Sequence, residues 1–579
     1  ARVLWRESVA RSLCGWRAHH GVVTASAQAT HVTSPFTRWP AAACTSRSLA
    51  GEASQWDADT SNGPAIVTTP IFYVNAAPHI GHMYSAVLAD AIARWEQMKG
   101  RCVVLSTGTD EHGAKVLEAA TRSGVRPDVY CGNISAAFEQ LFVECGVQFD
   151  QFVRTTDPRH AEVVHAVWER LDRRGFIYKG EYTGWYSQSD EEFLTSSQVE
   201  PAPRGGEGFV SVASGHPVVE MREENYMFRL SAFGDKLTTW LDDNPGVVAP
   251  ANRVSLVRSF LNRGLDDLSV SRQRSKQPWG ILVPGDPEHT VYVWLDALVN
   301  YLTVGGYPLV PRPQLHTHVV GKDILKFHAV YWPAILMALD LPLPRRILAH
   351  GHWTMDKKKM SKSLGNVVVP AEVNARFGSD LFRFFLLSRG RVDADSNFSA
   401  AKAEDALNEL ANTLGNLHLR CTSTRICPSG NAPAAAVASA IHLDTADREM
   451  AERIAATCDA VTTHYNHGNF ARGVEQLMLM LHAANQYFDH AAPWTLAKTA
   501  ANSADDAAQL DVVVYLTLEA VRVGAVALSP VCPDASTTLL TRLGCETRAV
   551  ASDLQFGLFD GNVLAKSRTP LFPKFDSGC

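Results

Sequence analysis

Ala65-Ile66-Val67-Thr68-Thr69, a turn-rich stretch from Pro70 to Ala77, Pro78-His79-Ile80-Gly81-His82 opening a helical pattern to about Met98, a stop at Gly100, and Val103-Val104-Leu105-Ser106-Thr107 together decide the fold. The two β-branched runs read as strands, and the segment between them has a helix period. Proline at 78 suits a first helical position, where its missing N–H has no partner to lose. Strand, helix, strand in this order is a βαβ unit, so the sheet is parallel. Outward from it the pattern pauses between about Gly175 and Asp286, where short β-like runs such as Tyr182-Thr183-Gly184-Trp185-Tyr186-Ser187 read as an insertion, and resumes at Thr290-Val291-Tyr292-Val293-Trp294. After about Ala400 the chain reads as helical, for example over Ala403 to Arg420, Asp447 to Thr463, Ala471 to His490 and Asp511 to Ala527. The expected fold is therefore α/β with an insertion, followed by an all-α region. The expected boundaries are 1–60 for a leader and linker, 61–173 and 287–346 for the two α/β halves, and 174–286 for the insertion. Residues 347–400 form a stem region with a lysine loop, and 401–579 a helical domain.

Composition narrows the function classes. With 579 residues and 46% apolar content the chain can bury a large core. Its longest apolar run, Ala329 to Leu339, is far short of the ~20 residues a membrane-spanning helix needs, so no membrane span is expected. Eleven cysteines, none in a C-x-x-C and none between Gly146 and Arg420, exclude a disulfide scaffold and a cysteine zinc knuckle in the middle of the chain. The net charge of −6 is unevenly spread: the first fifty residues carry Arg2, Arg6, Arg11, Arg17, Arg38 and Arg47 against one acid, Glu7. Arg-rich, Ser-rich and acid-poor is the pattern of an organelle transit peptide.

Two motifs carry chemistry. His79 and His82 lie three residues apart at a helix start, so both imidazoles share a face beside unpaired backbone N–H groups, at the end of the helix dipole that attracts anions. Gly81 between them lets a flat base or phosphate approach closely. Alone, the pair would also fit two surface histidines. Far downstream, Asp356-Lys357-Lys358-Lys359-Met360-Ser361-Lys362-Ser363-Leu364-Gly365-Asn366 is a basic loop whose lysines suit a departing pyrophosphate. Alone, it would also fit a solvated surface run.

His79-Ile80-Gly81-His82 followed by Lys359-Met360-Ser361-Lys362-Ser363 matches the signature pair of class I aminoacyl-tRNA synthetases. Over residues 64 to 500 the chain resembles the methionyl-tRNA synthetases. That resemblance is carried by Thr68-Thr69-Pro70-Ile71-Phe72-Tyr73-Val74-Asn75 and Gly108-Thr109-Asp110-Glu111-His112-Gly113. It is carried further by Tyr292-Val293-Trp294-Leu295-Asp296-Ala297-Leu298-Val299-Asn300-Tyr301 and Gly321-Lys322-Asp323-Ile324-Leu325-Lys326-Phe327-His328. The resemblance implies a Rossmann-like catalytic domain with a connective insertion and an anticodon-binding bundle. It is closest to the mitochondrial and bacterial form without a zinc knuckle, so no structural zinc and no other protein-held metal are expected. It implies catalysis by His79, His82, Lys359 and Lys362, with ATP held by these and by Gly81, Gly321, Asp323 and Ser361. The methionine pocket it implies comprises Ile71, Tyr73, Asp110, Trp294, Ala297, Leu298, Tyr301, Ile324 and His328, with Asp110 at the substrate ammonium. An aromatic, apolar slot suits a polarizable thioether.

The implied substrates are methionine, ATP with Mg²⁺, and tRNA(Met), whose anticodon Asn408, Asn412 and Trp494 would contact. Asn412 departs from the family, where many relatives carry arginine. Residues 402 to 579 hold 13 Lys plus Arg against 19 Asp plus Glu, so tRNA affinity there is expected from stacking and local patches rather than overall charge. Relatives for Leu, Ile and Val need a large editing insertion, because one methylene gives only about 1–3 kcal/mol of discrimination, and the insertion here is too short. The cysteine-specific relative uses zinc at its pocket, which the cysteine-free middle disfavours. A nucleotidyltransferase acting without RNA, or a non-catalytic RNA-binding relative, would be the alternatives. The helical tail argues against the first and the intact signatures against the second. A monomer in the mitochondrial matrix is expected, with the plastid as the alternative compartment.

Overall fold

The computed structural model describes residues 64–189, 191–194, 198–202, 208–212, 214–310, 314–355, 358–360, 368–434, 443–565 and 569–575. The expected leader (1–60), Ser361, Lys362 and the side chain of Lys359 lie outside the described residues. Strands β1 (Ala65–Thr68) and β2 (Phe72–Tyr73) lead to helix α1 (Ile80–Met98) and strand β3 (Val103–Asp110). Helices α2 (Ala114–Arg122) and α3 (Pro127–Glu144), strand β4 (Gln151–Arg154) and helix α4 (Pro158–Arg173) follow. The inserted stretch contains the long strands β5 (Ile177–Ser187) and β6 (Pro217–Phe228), paired antiparallel, and then β7 (Val248–Ala249). Helix α5 (Val293–Val304), strand β8 (Leu315–Gly321), helix α6 (Trp332–Leu339) and strand β9 (Arg346–His350) complete the α/β part. Beyond it lie α7 (Ser379–Arg389), α8 (Ala400–Leu410), α9 (Thr445–Asn466), α10 (Phe470–Ala491), α11 (Pro493–Thr499) and α12 (Ala504–Leu528).

The main sheet runs β7-β9-β8-β1-β3, and every pairing in it is parallel. Thr109 of β3 pairs with Phe72 on one side and Arg154 on the other, so β2 and β4 flank the end of β3. The chain moves from β1 to β3 and β4 in one direction and returns to β8 and β9 in the other. The reversal lies between β1 and β8, and ligands of open α/β sheets settle beyond the carboxyl ends of the strands at such a point.

Helix α1 is buried on nearly every side, which is what an apolar, alanine-rich helix between two layers must be. Its deepest acid, Asp90, is satisfied by Arg94 at 2.7 Å, by Arg383 of α7 at 2.6 Å and by the backbone N–H of Gln148. Its far end docks on the bundle: Trp95 Nε1 donates to Asn466 Oδ1 at 2.9 Å, and Arg346 donates to the Asn466 carbonyl at 2.8 Å. The helix that begins at the histidine pair is thus anchored on the helical domain.

Three details differ from the sequence reading. Helix α1 begins at Ile80 with His79 as its cap, so Pro78 lies outside it rather than at its first position. Val248–Ala249, inside the stretch read as insertion, is the edge strand of the parallel sheet, and two residues are too few to leave a strand pattern. The helix expected over 403–420 is α8 followed by a π-turn at Ala411–Gly415 and a last α segment at Asn416–Cys421.

Candidate active site

The two histidines cap their own helix. The Gly81 N–H donates to His79 Nδ1 at 3.1 Å, and the His79 N–H donates to His82 Nδ1 at 3.2 Å. A ring nitrogen that accepts carries no proton, so each neutral ring holds its proton on Nε2. The rings stack at 3.6 Å between centroids, with Phe72 and Phe138 behind His82. Burial and then the neighbouring His79 push the His82 pKa well below its ordinary value. The outcome is two uncharged Nε2–H donors at the electropositive end of a helix, where two imidazolium ions would repel each other and the dipole.

Both rings line a cavity of about 350 Å³ at the topological reversal. Gly81, Gly321 and Asp323 line it too. A Cβ on Gly321 would meet the Asp323 carboxylate, so a side chain where β8 ends would have to displace Asp323. Asp323 Oδ1 lies 3.0 Å from His352 Nε2. From the second motif, Met360 reaches the same cavity, and Lys358–Lys359 pairs its backbone with Trp353–Met355. The structure therefore brings one described side chain of the lysine motif to the histidine pair.

All nine residues expected around methionine line this one cavity: Ile71, Tyr73 and Asp110 from the β2–β3 side, Trp294, Ala297, Leu298 and Tyr301 from α5, and Ile324 and His328 after β8. Trp294 stacks on Phe327 with centroids 3.5 Å apart. His328 Nδ1 donates to the Ile324 carbonyl at 2.9 Å, so its Nε2 is an acceptor, and the Tyr301 hydroxyl donates to it at 2.6 Å. Burial lowers the His328 pKa to about 4, which keeps this wall neutral.

Asp110 brings a buried carboxylate to the cavity. Its Oδ1 is buried without a hydrogen-bond partner among the described residues. Burial, followed by the charges of Asp296 and Glu191, raises its pKa well above the carboxylate range. Such a group is costly as it stands and becomes favourable when a cation enters. Asp296 is held between His112 (2.7 Å) and His160 (2.8 Å), and those hydrogen bonds overcome its burial to bring its pKa down to about 2. Glu111 is clamped by Arg154 at 2.7 Å and 3.0 Å.

On the helical domain the three expected anticodon residues part company. Asn408 donates to the Phe575 carbonyl at 2.7 Å and accepts the Phe575 N–H at 2.9 Å. Its half-buried amide thereby ties α8 to the segment around Phe575. Asn412 is exposed on the π-turn. Trp494 is half-buried at the start of α11, 6.2 Å from the Phe488 ring.

Residues 65–422 match the family described as tRNA synthetases class I (M), and residues 437–562 match the anticodon binding domain of methionyl tRNA ligase. The chain belongs to the class I tRNA synthetases (M). It is 43% identical to a probable mitochondrial methionine–tRNA ligase of Dictyostelium discoideum, over 85% of this chain and 88% of that protein. It is 42% identical to a mitochondrial methionine–tRNA ligase of Homo sapiens, over 90% and 92% of the two chains. Its structure is similar to that of a Mycobacterium tuberculosis methionyl-tRNA synthetase in complex with methionyl-adenylate, with a TM-score of 0.81, 37% identity, and 88% and 100% of the two chains covered.

This class I synthetase also has cavity residues that the sequence did not single out. His350 and His352 come from the end of β9, and Lys115 from α2. Glu191 arrives from the insertion, some eighty positions after Asp110. No spacing rule links a residue in an irregular turn to a strand end in another domain. The nearest available signal was the β-like run Tyr182-Thr183-Gly184-Trp185-Tyr186-Ser187, which ends shortly before it.

Proposed function

We infer that this chain is a methionine–tRNA ligase. It activates methionine with ATP to methionyl-adenylate and transfers the methionyl group to the 3′ end of tRNA(Met). The observation that carries the reading is a single cavity in which a neutral histidine pair, a buried carboxylate with one oxygen unbonded among the described residues, and an aromatic, apolar slot meet. Asp110 takes the substrate ammonium. Trp294, Ala297, Leu298 and Ile324 enclose the thioether chain together with Ile71. Tyr73, Tyr301 and His328 supply the polar tips.

The methionine carboxylate then attacks the α-phosphorus of ATP, a P–O bond forms, and the bond to the β-phosphate breaks to release pyrophosphate. His79 and His82 donate from Nε2–H to the α-phosphate oxygens as charge builds on them. Donors fixed in advance by their own capping bonds need no reorganisation. Lys359, Ser361 and Lys362 hold the departing pyrophosphate, while Gly81 and Gly321 let the nucleotide lie against the backbone. Mg²⁺ would travel on the phosphates, where Asp323 could hold it, and would neutralise their charge. The terminal ribose hydroxyl of the tRNA then displaces AMP from the mixed anhydride. Positioning and electrostatics suffice, with no covalent enzyme intermediate. On the helical domain, Asn412 and Trp494 read the anticodon, Trp494 by stacking. The site of action is the mitochondrion, and within it the matrix.

The test is ATP–pyrophosphate exchange with each of the twenty amino acids in turn. Methionine alone should support exchange; activity with another amino acid, or with none, contradicts the assignment.

A further inference from the structure

Glu191 is a third carboxylate lining the cavity, after Asp110 and Asp323, and no part of the mechanism above uses it. It is 4% exposed. Its backbone sits at φ 48°, a left-handed conformation unfavourable for any side chain but glycine. Such strain persists only where surrounding contacts enforce it, and here they do. The Tyr73 hydroxyl donates to Oε2, the backbone N–H of Lys115 donates to Oε1 at 3.0 Å, and the Tyr292 hydroxyl donates to the Glu191 carbonyl. The next residue, Glu192, pairs with Lys326 and fastens the turn to the catalytic side. Gly113 cannot carry a side chain, because a Cβ would collide with the Tyr73 hydroxyl and crowd Glu191 Oε1. Tyr73 in turn pairs in register with Asp110 across β2 and β3.

Both Glu191 oxygens accept hydrogen bonds from the catalytic side, one from Tyr73 and one from the Lys115 backbone. Of the acids acting on Asp110, Glu111 is clamped by Arg154, and Asp296 is shared by His112 and His160. Among the described residues, no basic side chain forms an ion pair with Glu191. The ammonium group of Lys115 turns instead to the Ser189 carbonyl.

We propose that Glu191, supplied by the inserted segment, is a specificity-determining residue of the amino-acid site. It gives the polar end of the cavity a second negative charge beside Asp110, which selects the α-ammonium and turns the substrate carboxylate away toward the phosphate end. This rests on the methionine-activating reading above. Its consequence is that the insertion builds part of the pocket, so the ammonium is recognised by two domains at once.

The experiment is methionine-dependent pyrophosphate exchange by the full chain and by Glu191→Gln, which keeps the acceptor for Tyr73 and removes the charge. On the pH plateau of the parent enzyme, the variant should raise KM for methionine roughly tenfold or more. KM for ATP and kcat should stay within about twofold, the range of an interaction equal in ground and transition states. The acid limb of kcat/KM against pH should move to lower pH, because Asp110 loses a neighbouring negative charge. Tyr73→Phe, which removes the hydroxyl and keeps the charge, should leave that limb in place. The deaminated methionine analogue should compete relatively better against the variant than against the parent. An unchanged limb with KM for methionine within twofold overturns the proposal. Absence of exchange in the parent enzyme overturns the methionine-activating reading instead. If Glu191→Gln does not fold, Glu191→Asp decides: it retains the charge, so a shifted limb in that variant overturns the proposal and an unshifted one supports it.

Discussion

The backbone N–H of His79 donates to Nδ1 of His82 at 3.2 Å, so the second histidine of the pair closes the cap on the helix that the first one begins. The same bond decides which nitrogen of His82 keeps the proton. Local helix chemistry and the catalytic tautomer are therefore one feature.

His82→Asn and His82→Gln separate these roles. Asparagine can still accept near the Nδ1 position and cap the helix, so the loss of stability should be no more than about 1 kcal/mol. Its amide does not reach the Nε2 position, and single-turnover adenylate formation should slow by ~10²- to 10³-fold. Glutamine extends a donor to that position and should retain more activity. Stopped-flow measurement with thermal melts on the same variants checks both halves.

Asp110 sets function against stability. Its pKa is raised in the folded chain, so its contribution to stability is fully present below the unfolded carboxylate value and is lost as pH rises through the folded one. Asp110→Asn should therefore melt higher than the parent at neutral pH, by about 1–3 kcal/mol. It should lose methionine binding by ~10²-fold or more, since breaking a buried charge pair typically costs that much. Melting and methionine titration give the two numbers.

Histidine burial sets the acid side of the stability profile. His316, His328, His350 and His418 have pKa values lowered to about 4, chiefly by burial. A base held neutral in the fold contributes stability that is complete above its unfolded value and lost as pH falls through the folded one. The loss should therefore run between pH 6.5 and about 4, the window that the two values bracket. Both ring nitrogens of His418 are buried without a hydrogen-bond partner among the described residues. Replacing it, as in His418→Leu, should flatten that acid loss by as much as about 3 kcal/mol near pH 4. Denaturation curves at a series of pH values test this, and aminoacylation kinetics should be untouched.

Asn408 and Trp494 should behave oppositely. Asn408→Ala removes two hydrogen bonds to Phe575 and should destabilise the chain by about 1–3 kcal/mol without a specific loss of tRNA charging. Trp494→Ala should leave pyrophosphate exchange alone and raise KM for tRNA, corresponding to about 1–3 kcal/mol of lost stacking. Aminoacylation assays paired with melts distinguish the two.

Much of the site was legible in the sequence because its residues sit where regular elements end. His79 and His82 begin a helix after β1, Asp110 closes β3, and Gly321 closes β8. Strand ends of a parallel sheet lie on one side of the molecule, so motifs hundreds of residues apart meet. Glu191 was not legible, because it occupies an irregular turn with a left-handed backbone. The commitment of Asn408 to Phe575 was hidden for a different reason: periodicity assigns a residue to a helix face and is silent on which distant segment covers that face. The two-residue edge strand at Val248–Ala249 is too short for any period to register.

The central claim is that the histidine pair and the lysine loop act on one triphosphate. Single-turnover adenylate formation by Lys362→Ala, with methionine affinity measured alongside, tests it most directly. The account predicts a rate lowered by ~10²-fold or more and methionine affinity nearly unchanged. A normal rate of adenylate formation and pyrophosphate exchange in that variant would contradict it.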